Sequence, residues 1–148
     1  MALMDIFNVS GSAMAAQSVR LNTTASNLAN AQSVAENPED TYRAQHPVFA
    51  EQLDQSQSLA QSMLGGAGAE VAAGGVRVAE IVDSEAPLNL RYEPDHPYAN
   101  DEGYVAYPNV SVVEEMSNMI SASRSFQVNV EVMNTAKTLA ERVLSLGK

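Results

Sequence analysis

Over the last forty residues, 109–148, apolar side chains recur at alternating steps of four and three. Val112, Met116, Met119, Phe126, Val130, Met133, Ala140 and Leu144 fall on one line, interrupted only by Ser123 and Lys137. That spacing predicts a helix with a continuous apolar seam, of the kind that pairs in coiled coils. The start is marked by Pro108 and by Ser111 with Glu114, the residues of a capping box, in which each side chain satisfies a backbone N–H of the first turn. Glu114 and Glu115 suit the positive end of the helix dipole, Arg142 and Lys148 suit the negative end, and Gly147 is placed to stop the helix.

The run from Val128 to Val132 alternates like a strand, and its β-branched residues favour one. No Gly or Pro occurs between Asn109 and Leu146, however, and so long a run without a breaker reads as helix. Its length would be ~55 Å at the helical rise per residue. A second apolar set, Val113, Ile120, Val128, Val132, Leu139, Val143 and Leu146, lies off the seam. One partner helix cannot cover both sets, and a chain this short has little else to cover them with. Much of that cover is expected from other chains.

The N-terminal 33 residues repeat the pattern more weakly. Leu3, Phe7, Met14, Leu21, Leu28 and Ala31 share a four-and-three line whose other positions are Ser10, Gln17 and Thr24. Gly11 costs about 1 kcal/mol relative to Ala inside a helix. The rest of the segment is rich in Ala, Ser, Thr and Asn, so the helix needs packing to persist, and the C-terminal seam is the partner to hand.

Between the helices, 34–108 reads as a β-rich, loop-rich insertion. Asn37-Pro38-Glu39-Asp40 is a breaker cluster, and 42–49 is a strand confined by Pro47 to a sheet edge. Residues 51–64 are Gln- and Ser-rich, a short helix or a loop. Gly65 to Gly68, and then Gly74 and Gly75, bracket a flexible stretch. Short strands follow from Val76 to Asp83, at 88–92 and at 104–107, with a proline-stiffened loop around Pro94 and Pro97. The expected fold is therefore mainly α with a small β-rich insertion. It has three parts: 1–33, 34–108 and 109–148, with the terminal helices paired as a coiled coil.

Composition narrows the function. Asp plus Glu number 18 against 8 Lys plus Arg, a net charge of -10, and the arginines are scattered, so nucleic acid is disfavoured as a partner. Cysteine is absent, which removes disulfides, thiolate metal sites and cysteine nucleophiles. The N-terminus lacks the basic-then-apolar layout of a cleaved secretory signal, and no stretch approaches the ~20 apolar residues of a membrane span. By those rules alone the chain reads as cytoplasmic, unless it leaves by a route that needs no cleaved signal.

Candidate chemistry is sparse. Asp95, His96, Asp101 and Glu102 form the one group with metal-ligand character, without calcium-loop spacing. His46 has no second histidine near it. The glycine-rich stretch lacks the Lys-Ser/Thr of a phosphate loop and carries Glu70, which would repel phosphate. No serine stands in a nucleophile elbow. The expectation is no catalysis, no cofactor, no metal and no small-molecule substrate. Three readings stay open from the residues alone: an assembly subunit, a soluble helical adaptor for one partner helix, and a metal-dependent enzyme built on Asp95, His96 and Asp101.

The stretch from Ala25 to Ser33 closely resembles the N-terminal signature of the flagellar rod, hook and hook-associated proteins, in which an N-[LI]-A-N core ends the first helix. Here that core is Asn27, Leu28, Ala29 and Asn30, and Ser33 stands where the family usually has Thr. Asp95-His96-Pro97, Glu102-Gly103-Tyr104-Val105, Pro108-Asn109-Val110, Val113-Glu114-Glu115-Met116, Met119 to Arg124 and Asn134 to Lys137 together resemble the proximal-rod members of that family. Tyr42-Arg43-Ala44 and Gly75 to Val78 fit as well, and 51–74 is the least familiar part. The resemblance implies an axial subunit of the bacterial flagellar basal body, whose paired terminal helices line a tube and whose middle lies outside. It implies torque transmission from motor to hook and contacts with itself, with other rod proteins and with the rod base in the MS ring region. It also implies passage through the flagellar type III export apparatus without a cleaved signal, and hence a periplasmic location that replaces the cytoplasmic expectation.

Overall fold

The computed structural model describes residues 3–53 and 73–146. The elements run α1 (Leu3–Asn30), β1 (Gln45–Leu53), β2 (Ala73–Asp83), β3 (Asn89–Tyr92), β4 (Tyr104–Tyr107) and α2 (Val112–Leu146). Two terminal helices thus flank a small antiparallel sheet region. The strand-like alternation at 128–132 sits inside α2, where the breaker-free run prevails. Residues 51–53 extend β1. The rest of 51–64, the glycines at 65–68, and the terminal Gly147 and Lys148 lie outside the described residues.

The capping box expected at the start of α2 is not formed. The hydrogen bond there is the Glu115 N–H donating to the Ser111 carbonyl at 2.9 Å, the ordinary first bond of a helix. Ser111 is exposed, so water can satisfy the first N–H groups without its hydroxyl.

The helices lie side by side and antiparallel. Near the start of α1, Ile6 shares a hollow with Val132, Ala136 and Leu139. Toward its other end, the Arg20 Nη2 donates to Asn118 Oδ1 at 2.9 Å. With 35 residues to the 28 of α1, α2 runs past its partner, which leaves Val143 and Leu144 bare.

The face that α2 turns to α1 is not the line of its largest apolar residues. Its buried and half-buried positions are Glu115, Asn118, Met119, Ala122, Ser123, Ser125, Phe126, Asn129, Val130, Met133, Ala136 and Ala140. Met119, Phe126, Met133 and Ala140 belong to the expected seam. Ser123 and Val130 of that seam are half-buried beside Ala122 and Asn129, whereas Met116 and Lys137 are exposed and their neighbours Glu115 and Ala136 are buried. The small Ala122 and Ala136 let the backbones approach, whereas Lys137 at the contact would hold them apart.

The buried residues of α1, which packs on both α2 and the β1–β2 hairpin, are small or polar. They are Ser10, Ala16, Thr23, Thr24 and Asn27, while Phe7, Met14, Leu21 and Leu28 of the expected line are half-buried. The buried hydroxyls are satisfied locally. Thr23 Oγ1 donates to the Val19 carbonyl and Thr24 Oγ1 to the Arg20 carbonyl, each at 2.8 Å. A threonine that bonds its own helix in this way presents its methyl group to the neighbour.

On its other side α1 carries the β1–β2 hairpin, in register from Gln45 opposite Asp83 to Leu53 opposite Ala73, with irregularities after Val48 and after Glu51. The Val76 N–H donates to Ser12 Oγ at 3.1 Å. Gly75 passes against Ser12 with a φ of +128°, a left-handed conformation next to a close approach, and both call for glycine. The β3–β4 hairpin pairs Asn89 with Tyr107 through Tyr92 with Tyr104.

The buried apolar side chains among the described residues are small: Ala16, Ala44, Val105, Ala106, Pro108, Val110, Ala122 and Ala136. No Leu, Ile, Met or Phe is among them.

Candidate functional site

The family-like motif at the end of α1 holds two asparagines with different tasks. Asn27 is 1% exposed. Its Nδ2 donates to the Gln45 carbonyl at 2.8 Å, and its Oδ1 accepts the Gln45 N–H at 2.9 Å and the Tyr42 hydroxyl at 2.8 Å. The amide thereby acts as one more rung of the sheet and pins the first residue of β1 to α1. Asn30 stays within its own turn, with Nδ2 donating to the Ser26 carbonyl at 2.9 Å. Its carbonyl accepts the Ser33 N–H and hydroxyl, which turns the chain out of the helix. Leu28 is half-buried and Ala29 is exposed.

A second asparagine fixes the other junction. Asn109, just before α2, accepts the Ala44 N–H on Oδ1 at 2.8 Å and donates from Nδ2 to the Ala86 carbonyl at 2.9 Å. Asn27 and Asn109 thus fasten opposite sides of the segment around Ala44, which ties α1, both strands of the first hairpin and the start of α2 together. Neither role was visible from spacing, because the partners of Asn27 stand 15 and 18 residues away in sequence and those of Asn109 stand 65 and 23 away.

Of the expected seam residues, Leu3 opens α1. Phe7, Met14, Leu21, Leu28, Met119, Phe126, Val130, Met133 and Ala140 are half-buried along the helix pair. Val112, Met116 and Leu144 are exposed, Leu144 to 74%. The off-seam set is more exposed still as a group: Val113 (80%), Ile120, Val128 and Val143 are exposed, and so in part are Val132 and Leu139 at the hollow they share with Ile6. One long helix therefore carries an uncovered apolar face along its length, far more than the scattered surface residues of an ordinary monomer.

The loop between β3 and β4 does not gather its acidic residues and histidine. His96 Nδ1 accepts the Tyr98 N–H at 3.2 Å, and Asn100 Oδ1 accepts the N–H groups of Glu102 and Tyr104. Gly103, at φ +82°, closes against Tyr92 and Pro94. Among the described residues, no three His, Asp or Glu side chains come together to hold a metal ion. At the base of the loop the Tyr107 hydroxyl donates to Glu93 Oε2 at 3.0 Å. That bond is the main cause that raises the Tyr107 pKa, ahead of burial and the Glu93 charge, while Arg91, stacked over the ring at 4.5 Å, works against it. No helix among the described residues is long and apolar enough to cross a membrane.

Comparison with known proteins bears on both ends of the chain. Residues 7–34 match the family described as flagella basal body rod protein, and 101–146 match the flagellar basal body rod FlgEFG protein C-terminal family. The chain is 49% identical to the flagellar basal-body rod protein FlgC of Salmonella typhimurium and 47% identical to that of Yersinia enterocolitica, in both cases over all of both chains. It is 36% identical to FlgC of Bacillus subtilis over 95% of each. The two matched segments contain the asparagine-pinned end of α1 and the whole of α2, and identity of this extent makes the chain a member of the FlgC family of flagellar basal-body rod proteins, structural subunits of the rod.

Proposed function

We propose that the chain is a proximal-rod subunit that assembles with copies of itself and with other rod proteins into the axial shaft carrying torque from motor to hook. The observation behind this reading is the uncovered apolar face of α2. Val113, Ile120, Val128, Val132, Leu139 and Val143 are exposed along a helix that already packs another face on α1. Burying such side chains is worth about 1.5–3 kcal/mol each, so a neighbour that covers the face gains a large part of a stable contact.

In this reading α1 and α2 (residues 1–33 and 109–148) form a coiled-coil core toward the inside of the tube. Residues 34–108 form a separate middle part toward the outside. The helical seam residues Leu3, Phe7, Met14, Leu21 and Leu28, with Val112, Met116, Met119, Phe126, Val130, Met133, Ala140 and Leu144, serve the assembly. Those buried against the partner helix set its shape, and the exposed ones meet neighbours. The lowest layer contacts the rod base in the MS ring region. The subunit reaches the periplasmic part of the basal body through the flagellar type III export apparatus without a cleaved signal, and it has no catalytic role.

Charge on the outer face tests this. Val113→Asp and Ile120→Asp should leave the purified chain folded, with an unchanged circular dichroism spectrum, because both side chains are already in water. Incorporation into basal bodies, and with it motility, should fail. Normal rod yield and swimming in both variants would remove the outer face from the assembly and leave the proposal without its support.

A further inference from the structure

The loop between β3 and β4, residues 93–103, is firmly built although none of its residues is buried. The Ala99 N–H donates to the His96 carbonyl at 3.0 Å, the Gly103 N–H to the Asn100 carbonyl at 2.9 Å, and the Asn100 N–H to the Tyr104 carbonyl at 2.9 Å. Pro94 and Pro97 stiffen it further. Large side chains of this hairpin nevertheless stand in water. Leu90 and Tyr92 are each 65% exposed, Tyr98 45% and Tyr104 40%. Leu90, Pro97, Tyr98 and Tyr104, with Ala35 and Pro38 from the turn after α1, line a cavity of about 260 Å³ floored by the buried Ala106. The Tyr92 ring meets Tyr104 edge-on, centroids 5.4 Å apart, and so fixes the rim. The hydroxyls of Tyr98 and Tyr104 bond no described residue.

Such a surface is ready to bind. Tyrosines offer a large contact with few torsions to freeze, and a loop already held in shape adds little ordering cost. An apolar cavity of ~150 Å³ takes a benzene ring, so this one has room for a leucine-sized or aromatic side chain. Its rim is acidic. Glu36 lines it, and Glu39, Asp40, Asp95, Asp101 and Glu102 are exposed in the same two segments. Arg91, the one cation of those segments, turns to the opposite face of the hairpin, over the Tyr107 ring. The bias extends beyond the rim. Residues 34–108 hold 13 Asp and Glu against 3 Arg, whereas 1–33 and 109–148 together hold 5 charges of each sign. The middle of a second copy would therefore be repelled here, and its helices bring no net positive charge.

We propose that this cavity is a docking site for a different rod protein, which inserts one leucine-sized or aromatic side chain flanked by lysine or arginine. The apolar side chain stands between Leu90, Tyr98 and Tyr104. The basic neighbour pairs with Glu36, and the two tyrosine hydroxyls donate to carbonyls of the partner. This rests on the assembly reading above and names a contact made by residues other than the outer face of α2.

The test combines cross-linking with a charge reversal. In basal bodies isolated from cells whose chain carries benzoylphenylalanine in place of Tyr98, ultraviolet light should link the chain to one other rod protein, beside a lysine or arginine. Leu90→Asp and Glu36→Lys should each leave the melting temperature of the free chain unchanged, because both side chains are already in water. In cells lacking the natural subunit, each should enter basal bodies roughly ten-fold less efficiently than wild type. Replacing the partner's basic residue at the link with glutamate should restore Glu36→Lys and leave Leu90→Asp impaired. Links to a second copy alone, or none, would overturn the proposal, as would failure of that rescue or a lowered melting temperature in both variants. Normal entry of both variants beside failure of Val113→Asp would overturn this contact and leave the assembly reading standing. Failure of the wild-type chain to enter basal bodies would instead overturn the assembly reading.

Discussion

Replacing Asn27 with alanine removes a side chain that makes three hydrogen bonds in a site closed to water. The Gln45 N–H and carbonyl are then left facing a methyl group. The Tyr42 hydroxyl keeps a weaker alternative in Ser26 Oγ, 3.3 Å away. A buried polar group that loses its partner costs about 1–3 kcal/mol, and Gln45 is only half-buried, so part of that cost returns through solvent. The expected loss is ~2–4 kcal/mol, a fall in melting temperature on the order of 10 °C for a chain of this size. Asn27→Asp should be at least as damaging, because it keeps the acceptor but sets a charge against the Gln45 carbonyl. Asn30→Ala is the internal control. It loses one bond within its own turn and should cost less than about 1 kcal/mol. Thermal or urea unfolding of the three purified variants reads this out. An Asn27→Ala protein that melts within about 3 °C of wild type would refute the pinning role. So would equal effects at Asn27 and Asn30.

Two further predictions follow from local geometry. Gly75→Ala should destabilise the chain by about 1–3 kcal/mol, since its φ of +128° strains any Cβ and the added methyl runs into Ser12, whereas Gly11→Ala, in a helix with open space beside it, should stabilise by about 0.5–1 kcal/mol; urea unfolding of both decides. Tyr107→Phe should destabilise at neutral pH and lose its effect in strong alkali. The raised pKa means that the folded state holds the phenolic proton more tightly, so its contribution is complete below the unfolded value of 10.0 and vanishes as pH rises through the folded one; an equal deficit at pH 7 and in strong alkali would contradict this.

Much of the architecture is legible in the residues. Tyr104-Val105-Ala106-Tyr107 reads as a short strand between Gly103 and Pro108, and β4 spans those four residues. The absence of Gly and Pro across α2 decides against the strand-like 128–132. The helix–helix register is not legible, because hydrophobicity rewards large side chains, while this contact uses small ones. Ala122 and Ala136 are buried, whereas Met116 and Leu144 are exposed. Lys137, a charge on the expected line, was the local hint, and it is exposed. The asparagine pins were hidden for another reason. Their meaning lies in partners from distant segments, which no local pattern encodes.

The central claim is that the outer face of α2 is bare in the free chain and covered in the rod. The absence of cysteine makes a single introduced thiol an unambiguous reporter. Val128→Cys places it on that face, at a position 52% exposed. Maleimide labelling should be fast on the purified chain and strongly slowed in isolated basal bodies that contain the same variant. Equal labelling rates in the two states would contradict the account.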